Sequence, residues 1–166
     1  MSHRTLRCYD YVNQPYQRVR ETLLANPNYV FRHATAAATT HAAALHVRVG
    51  SIDIGADVVI NVVSIDDGDA YGRPGTGLKL EWQAATNPHL FPFMKATLSM
   101  FALSPTETQL ALEGTYELPM GKLGEAIDAA AGHKLAEASV KRFIQEVAGW
   151  LREELAMPVP APRALA

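Results

Sequence analysis

Few residues of this chain have the type and spacing that chemistry needs. Gly121-Lys122-Leu123-Gly124 has the spacing of a Gly-x-x-Gly clamp, whose backbone can hold phosphates or single-stranded nucleic acid. That clamp joins two helices of a basic domain. Here it follows a strand-like run and Pro119, in a chain of formal net charge -2. A corner fits better: Pro119 stops the strand, Gly121 frees the backbone, and the chain turns into a short helix. The stretch GRPGTG, 72 to 77, lacks the Gly-Lys-Ser/Thr of a phosphate loop and enters a strand instead of a helix, so it reads as a hairpin tip. Asp66, Asp67 and Asp69 lack the spacing and closing Glu of a calcium loop and read as a solvated turn.

Metal and nucleophile chemistry find little more. His3, His33, His41, His46, His89 and His133 make no His-Glu-x-x-His or comparable pairing, and Cys8 is the one cysteine. No metal site and no cofactor are expected. There is no Gly-x-Ser-x-Gly elbow, so Ser64, Ser99 and Ser139 read as ordinary strand or helix residues. No catalytic residue is assigned. General acid–base chemistry needs only one or two polar groups inside a core. Tyr116 on an apolar strand face, Asn61 among valines and isoleucines, and Arg142 beside Phe143 are the candidates, with an ordinary core or surface role the favoured reading of each.

The elements that would position these residues are legible from periodicity. The length of 166 residues suits one domain, taken as 1–156, with the proline-rich tail 157–166 behind it. The chain is 48% hydrophobic and 19% charged, with Lys and Arg scattered, which offers nucleic acid no basic face. No run approaches the ~20 apolar residues of a membrane span, and no apolar signal segment opens the chain. With a lone cysteine, a reducing cytoplasm is the expected setting.

Residues 6 to 12 alternate as a strand. An amphipathic helix follows, with Asn13 as its cap, Pro15 in its first turn, Tyr16, Val19, Leu23 and Leu24 on one face, and Pro27 as its stop. The alanine-rich stretch 29 to 42 favours a second helix against its threonines, and a strand is expected from Ala44 to Gly50. Residues 56 to 65 read as a strand and 66 to 77 as a loop. Strands 78 to 86, 93 to 103 and 108 to 118 each alternate apolar with polar residues, which means one dry and one wet face. A long helix starting near Gly132 carries Ala136, Val140, Phe143, Ile144, Val147, Leu151 and Leu155 on one stripe.

This order resembles the helix-grip fold of the START-like superfamily, the SRPBCC or polyketide cyclase and lipid-transfer group. The resemblance rests on YDYVNQPYQRVRETL, FPFMKATLSMFALSPTETQLALEGTYELP and GHKLAEASVKRFIQEVAGWLREEL. The stretch from Phe91 to Leu155 is also similar to a group of uncharacterised bacterial members. The implied class is α+β, with a curved antiparallel sheet of about six strands wrapped around a long C-terminal helix. The resemblance further implies an apolar chamber between sheet and helix and a small hydrophobic molecule as partner. It transfers no active-site residue. The lining would come from Leu80, Trp82, Leu98, Met100, Leu112 and Tyr116 of the sheet, with Phe143, Val147 and Trp150 of the helix. A solid core is the plain alternative for the same side chains. Two other functions stay open: a cyclase or dehydratase using Tyr116 or another wall group as acid, and an interaction module, as a homodimer, whose chamber is vestigial.

Overall fold

The structure, a computed structural model, describes residues 3–44, 58–84, 93–117 and 129–156. In chain order these form β1 (His3–Val12), α1 (Tyr16–Ala25), α2 (Pro27–Ala44), β2 (Val58–Ala70), β3 (Arg73–Ala84), β4 (Phe93–Ser104), β5 (Glu107–Glu117) and α3 (Ala129–Ala156). The Gly121–Gly124 corner, the expected strand up to Gly50 and the tail lie outside the described residues.

Two helix boundaries differ from the sequence expectation for local reasons. Asn13 does not cap α1; the residue before the helix is Pro15, with no side-chain cap. Pro27 opens α2 and does not merely end α1. At the first helical position its missing N–H costs nothing. Asn26 before it accepts the Tyr29 N–H at 3.2 Å through its side-chain oxygen, which makes it the cap. One residue thus separates the two helices, and 29 to 42 is helical as favoured.

The described strands form one antiparallel sheet of five, in the order β1-β5-β4-β3-β2. The expected loop over 66 to 77 is instead mostly strand. Only Tyr71 and Gly72 turn, both with positive φ, 56° and 77°, the backbone that suits a two-residue hairpin. The glycines that suggested a loop make room. A Cβ on Gly75 would stand 2.7 Å from both the Ala70 Cβ and the Met100 carbonyl oxygen. The hairpin can therefore fold close over β4. There Ala70, Phe101 and Ala111 make a small second core on the outer face.

The inner face can be followed in rows across the strands. The first runs Ile60, Trp82, Met94, Tyr116, Arg4. The second is Val62, Leu80, Ala96, Gly114, Leu6, and the third includes Leu78, Leu98, Leu112 and Cys8. The fourth holds Thr76, Met100, Leu110 and Asp10. Rows lie two residues apart, so the four span about 20 Å.

Helix α3 lies on this face. Its Val140, Phe143, Ile144, Val147 and Leu151 join the strand residues in one buried cluster, with Val19 and Leu23 of α1 and Phe31 of α2. Phe31 meets Phe143 at 5.7 Å between ring centroids, and Tyr29 meets Trp150 at 6.2 Å. The helix is pinned near its C-terminal end by Arg152, which pairs with Asp10 at 2.7 Å and donates to the Tyr11 carbonyl oxygen.

Candidate ligand-binding site

The nine side chains expected to line a chamber converge on one layer. Six come from the inner faces of β3, β4 and β5 and three from α3, all within or against the same apolar cluster. Leu98, Met100, Leu112, Phe143 and Val147 are fully buried, Leu80 and Tyr116 nearly so. Trp82 and Trp150 are only partly buried. Trp82 packs edge-on against Phe143, with ring centroids 4.9 Å apart, so sheet and helix touch there. The second row, between these contacts and the large leucines of the third, carries the smallest side chains of the layer, Ala96 and Gly114.

The two ends of the layer differ in chemistry. At the fourth row α1 lies across the end. Thr76, fully buried, gives its one proton to Asp67 at 2.5 Å. It therefore accepts from the Tyr16 hydroxyl at 2.6 Å and from Arg20 Nε at 3.0 Å. Arg20 also grips the Asp67 carboxylate at 2.7 and 3.2 Å. Hydrogen bonds from Arg20 first and Thr76 second hold the Asp67 carboxyl below the usual aspartate range. Nearby, the Thr108 hydroxyl donates to the Gln14 carbonyl oxygen at 2.8 Å.

At the first row Tyr116 stands beside its cross-strand partner Arg4. Burial pushes the Tyr116 phenol up. The Arg4 guanidinium, which hydrogen-bonds to it, works against that shift, and the charge of Glu137 on α3 adds a smaller push upward. Tyr116 thus keeps its proton at neutral pH. Cys8, in the third row, has its thiol pushed up to about 11, by burial first and the charge of Asp10 second.

Other sequence candidates fall elsewhere. Asn61 is exposed, opposite Glu81 on the outer side; the near-continuous apolar run of β2 hides its phase in the sequence. Arg142 pairs with Glu146 at 2.5 Å and is 43% exposed, although its Nε is buried without a hydrogen-bond partner. Of the acidic cluster, Asp67 binds Arg20 and Thr76, Asp69 accepts the Gly72 N–H at 2.7 Å, and Asp66 lies 3.5 Å from Lys79. They brace the hairpin and α1. Arg4 and Glu137 were not among the expected site residues. The placement of Arg4 depends on a strand pairing more than a hundred residues apart in sequence, which periodicity does not report.

The outer face carries an open groove of about 470 Å³, lined by Thr5, Val63, Lys79, Glu81, Lys95, Thr97, Glu113 and Thr115. It alternates charges and hydroxyls, and Leu80, Ala96 and Gly114 of the second row also border it. Among the described residues, no helix is long and apolar enough to cross a membrane.

No family model matches the chain, and no curated protein is similar to it in sequence. Solved structures are similar in fold. A conserved protein from Geobacillus kaustophilus superposes with a TM-score of 0.52 at 10% identity, covering 91% of this chain and 97% of that one. The Zhui aromatase/cyclase from Streptomyces sp. R1128 gives 0.48 at 13% identity, over 99% and 100% of the two chains. A START superfamily protein from Mycobacterium smegmatis gives 0.45 at 11%, over 93% and 100%. The fold is α+β and helix-grip-like, an antiparallel sheet with a C-terminal helix on its inner face. The likeness is one of fold.

Proposed function

We propose that the chain binds a small apolar or amphipathic molecule between the sheet and α3, as a cytoplasmic carrier or receptor and not as an enzyme. The carrying observation is the convergence of the nine side chains on one apolar layer whose two tryptophans remain only partly buried. Large aromatic surface left at a seam between helix and sheet is where an apolar ligand gains most, at ~25 cal/mol per Å² before association costs.

Native mass spectrometry of protein purified from its own cells tests the reading. A retained small molecule, released on denaturation, is expected. Titration with 2-ethylnaphthalene should also quench tryptophan emission saturably, because Trp82 and Trp150 are the only tryptophans. An empty protein that also shows no saturable quenching would mean a solid core.

A further inference from the structure

Two exposed tyrosines stand beside the end of α3. Tyr9 is 60% exposed and Tyr11 36%. They lie two residues apart on the outer side of β1, and their rings meet edge-on with centroids 5.7 Å apart. Their cross-strand partners are Ala111, part of the small outer core, and Gln109. The pair is an apolar surface held in one geometry.

The end of α3 is fixed close to it. Arg152 pairs with Asp10 at 2.7 Å and donates to the Tyr11 carbonyl oxygen, and Arg18 donates to the Leu155 carbonyl oxygen at 3.5 Å. Residues 157–166, which lie outside the described residues, therefore begin at this end of β1. β1 is the outermost strand on its side among those described, so only its edge separates that starting point from the two rings. The sequence there is Met-Pro-Val-Pro-Ala-Pro-Arg-Ala-Leu-Ala. Prolines at alternate positions favour extended backbone, which loses little entropy on docking, and aromatic side chains recognise such segments. At ~3.1 Å per residue the segment 157–162 spans about 19 Å, more than the ~10 Å between packed layers.

The size of the patch selects the occupant. Two tyrosines bury about 150–250 Å² each, well short of the ~800 Å² per partner of a stable protein interface. A tethered segment needs less, because its tether holds it at a millimolar effective concentration. Glu107, two residues before Gln109 on β5, offers Arg163 an opposite charge. We propose that Pro158–Pro162 of this chain fold back round the edge of β1 and lie on the rings of Tyr9 and Tyr11.

The test puts a nitroxide on the full chain at Ala164→Cys; Cys8 stays unlabelled near neutral pH because burial keeps its thiol protonated. The amide NMR signals of Arg7, Tyr9, Tyr11 and Gln109 should broaden, and recover when the nitroxide is reduced. A tethered chain passes near Tyr11 even without docking, so two further labelled chains decide. Tyr9→Ser with Tyr11→Ser should remove most of the broadening at Arg7 and Gln109. Pro160→Gly with Pro162→Gly should do the same, and it leaves every residue of the described fold in place. Broadening that survives either double variant overturns the proposal, as does a wild-type chain in which these signals stay sharp.

Discussion

Single atoms decide how the closed end of the apolar layer is held. The Thr76 hydroxyl makes three hydrogen bonds from a fully buried position. Thr76→Val keeps the shape and removes all three, and should cost roughly 1–2 kcal/mol in chemical denaturation, because Arg20 and Asp67 can partly rehydrate. Thr76→Ser should recover most of the loss. The depressed Asp67 carboxyl gives the same network a pH signature. Its folded value lies below its unfolded one, so its stabilisation is complete above the ordinary aspartate value. It is lost as pH falls through the folded value, in the region below about pH 4. Asp67→Asn should flatten the acid limb of a Tm-against-pH curve; an unchanged limb would show that Asp67 is not the group responsible. Cys8 makes the opposite kind of statement. With its thiol raised to about 11, its thiolate is scarce near pH 8. Iodoacetamide should therefore modify it at roughly a hundredth of the rate of a free thiol, and at the ordinary rate once the chain is denatured. Alkylation at the free-thiol rate in the native protein would contradict its burial.

At the scale of elements, the β2–β3 hairpin shows best what the sequence did and did not say. Alternation in β3, β4 and β5 assigned Leu78, Leu80, Leu98, Met100, Leu110 and Leu112 to the dry face, and all are buried. That signal is local and needs only the two-residue period of a strand. Residues 66 to 77 misled because glycine marks both loops and places where backbones come close. Only the structure tells that Gly75 faces Ala70 and Met100. Gly75→Ala should cost about 1–3 kcal/mol, since both neighbours stand where the methyl would go, measured as a fall in the denaturation midpoint. Tyr71 sits in the left-handed region at the tip, a strain its side chain offsets. It packs on Phe101 at 5.6 Å, donates to Glu113 at 3.0 Å and lies under the Arg7 guanidinium. The edge of β1, the outermost on its side among the described strands, is managed too. The Tyr11 N–H is taken by the Asp10 side chain and its carbonyl oxygen by Arg152, so that stretch offers no ladder to another strand. Arg152→Ala should release it. Light scattering should then show self-association that grows with concentration, where wild-type behaviour in the variant would mean the rest of the edge is already protected.

Taken whole, the molecule shows which parts of the plan were legible. The order of strands and helices identified the fold, and the stripe on α3 predicted its buried face from Val140 to Leu155. Arg4 could not be found that way. The N-terminal residues before Leu6 are polar and short of pattern, and what gives Arg4 its place is Tyr116, far along the chain. Asn61 could not be given a face for a related reason: a continuous run of Val and Ile has no phase until its partner, Glu81, supplies one. The same pairing has a consequence for how the protein comes into being. β1 has its partner in β5, residues 107–117, which is made far later. At usual rates of protein synthesis, of about 5–20 residues per second, a tyrosine-rich segment waits on the order of 5–20 s for its neighbour to leave the ribosome. Until then neither the sheet nor the grip on α3 can close. A chaperone that shields β1 until β5 is made should protect newborn chains more than one that acts on the finished fold.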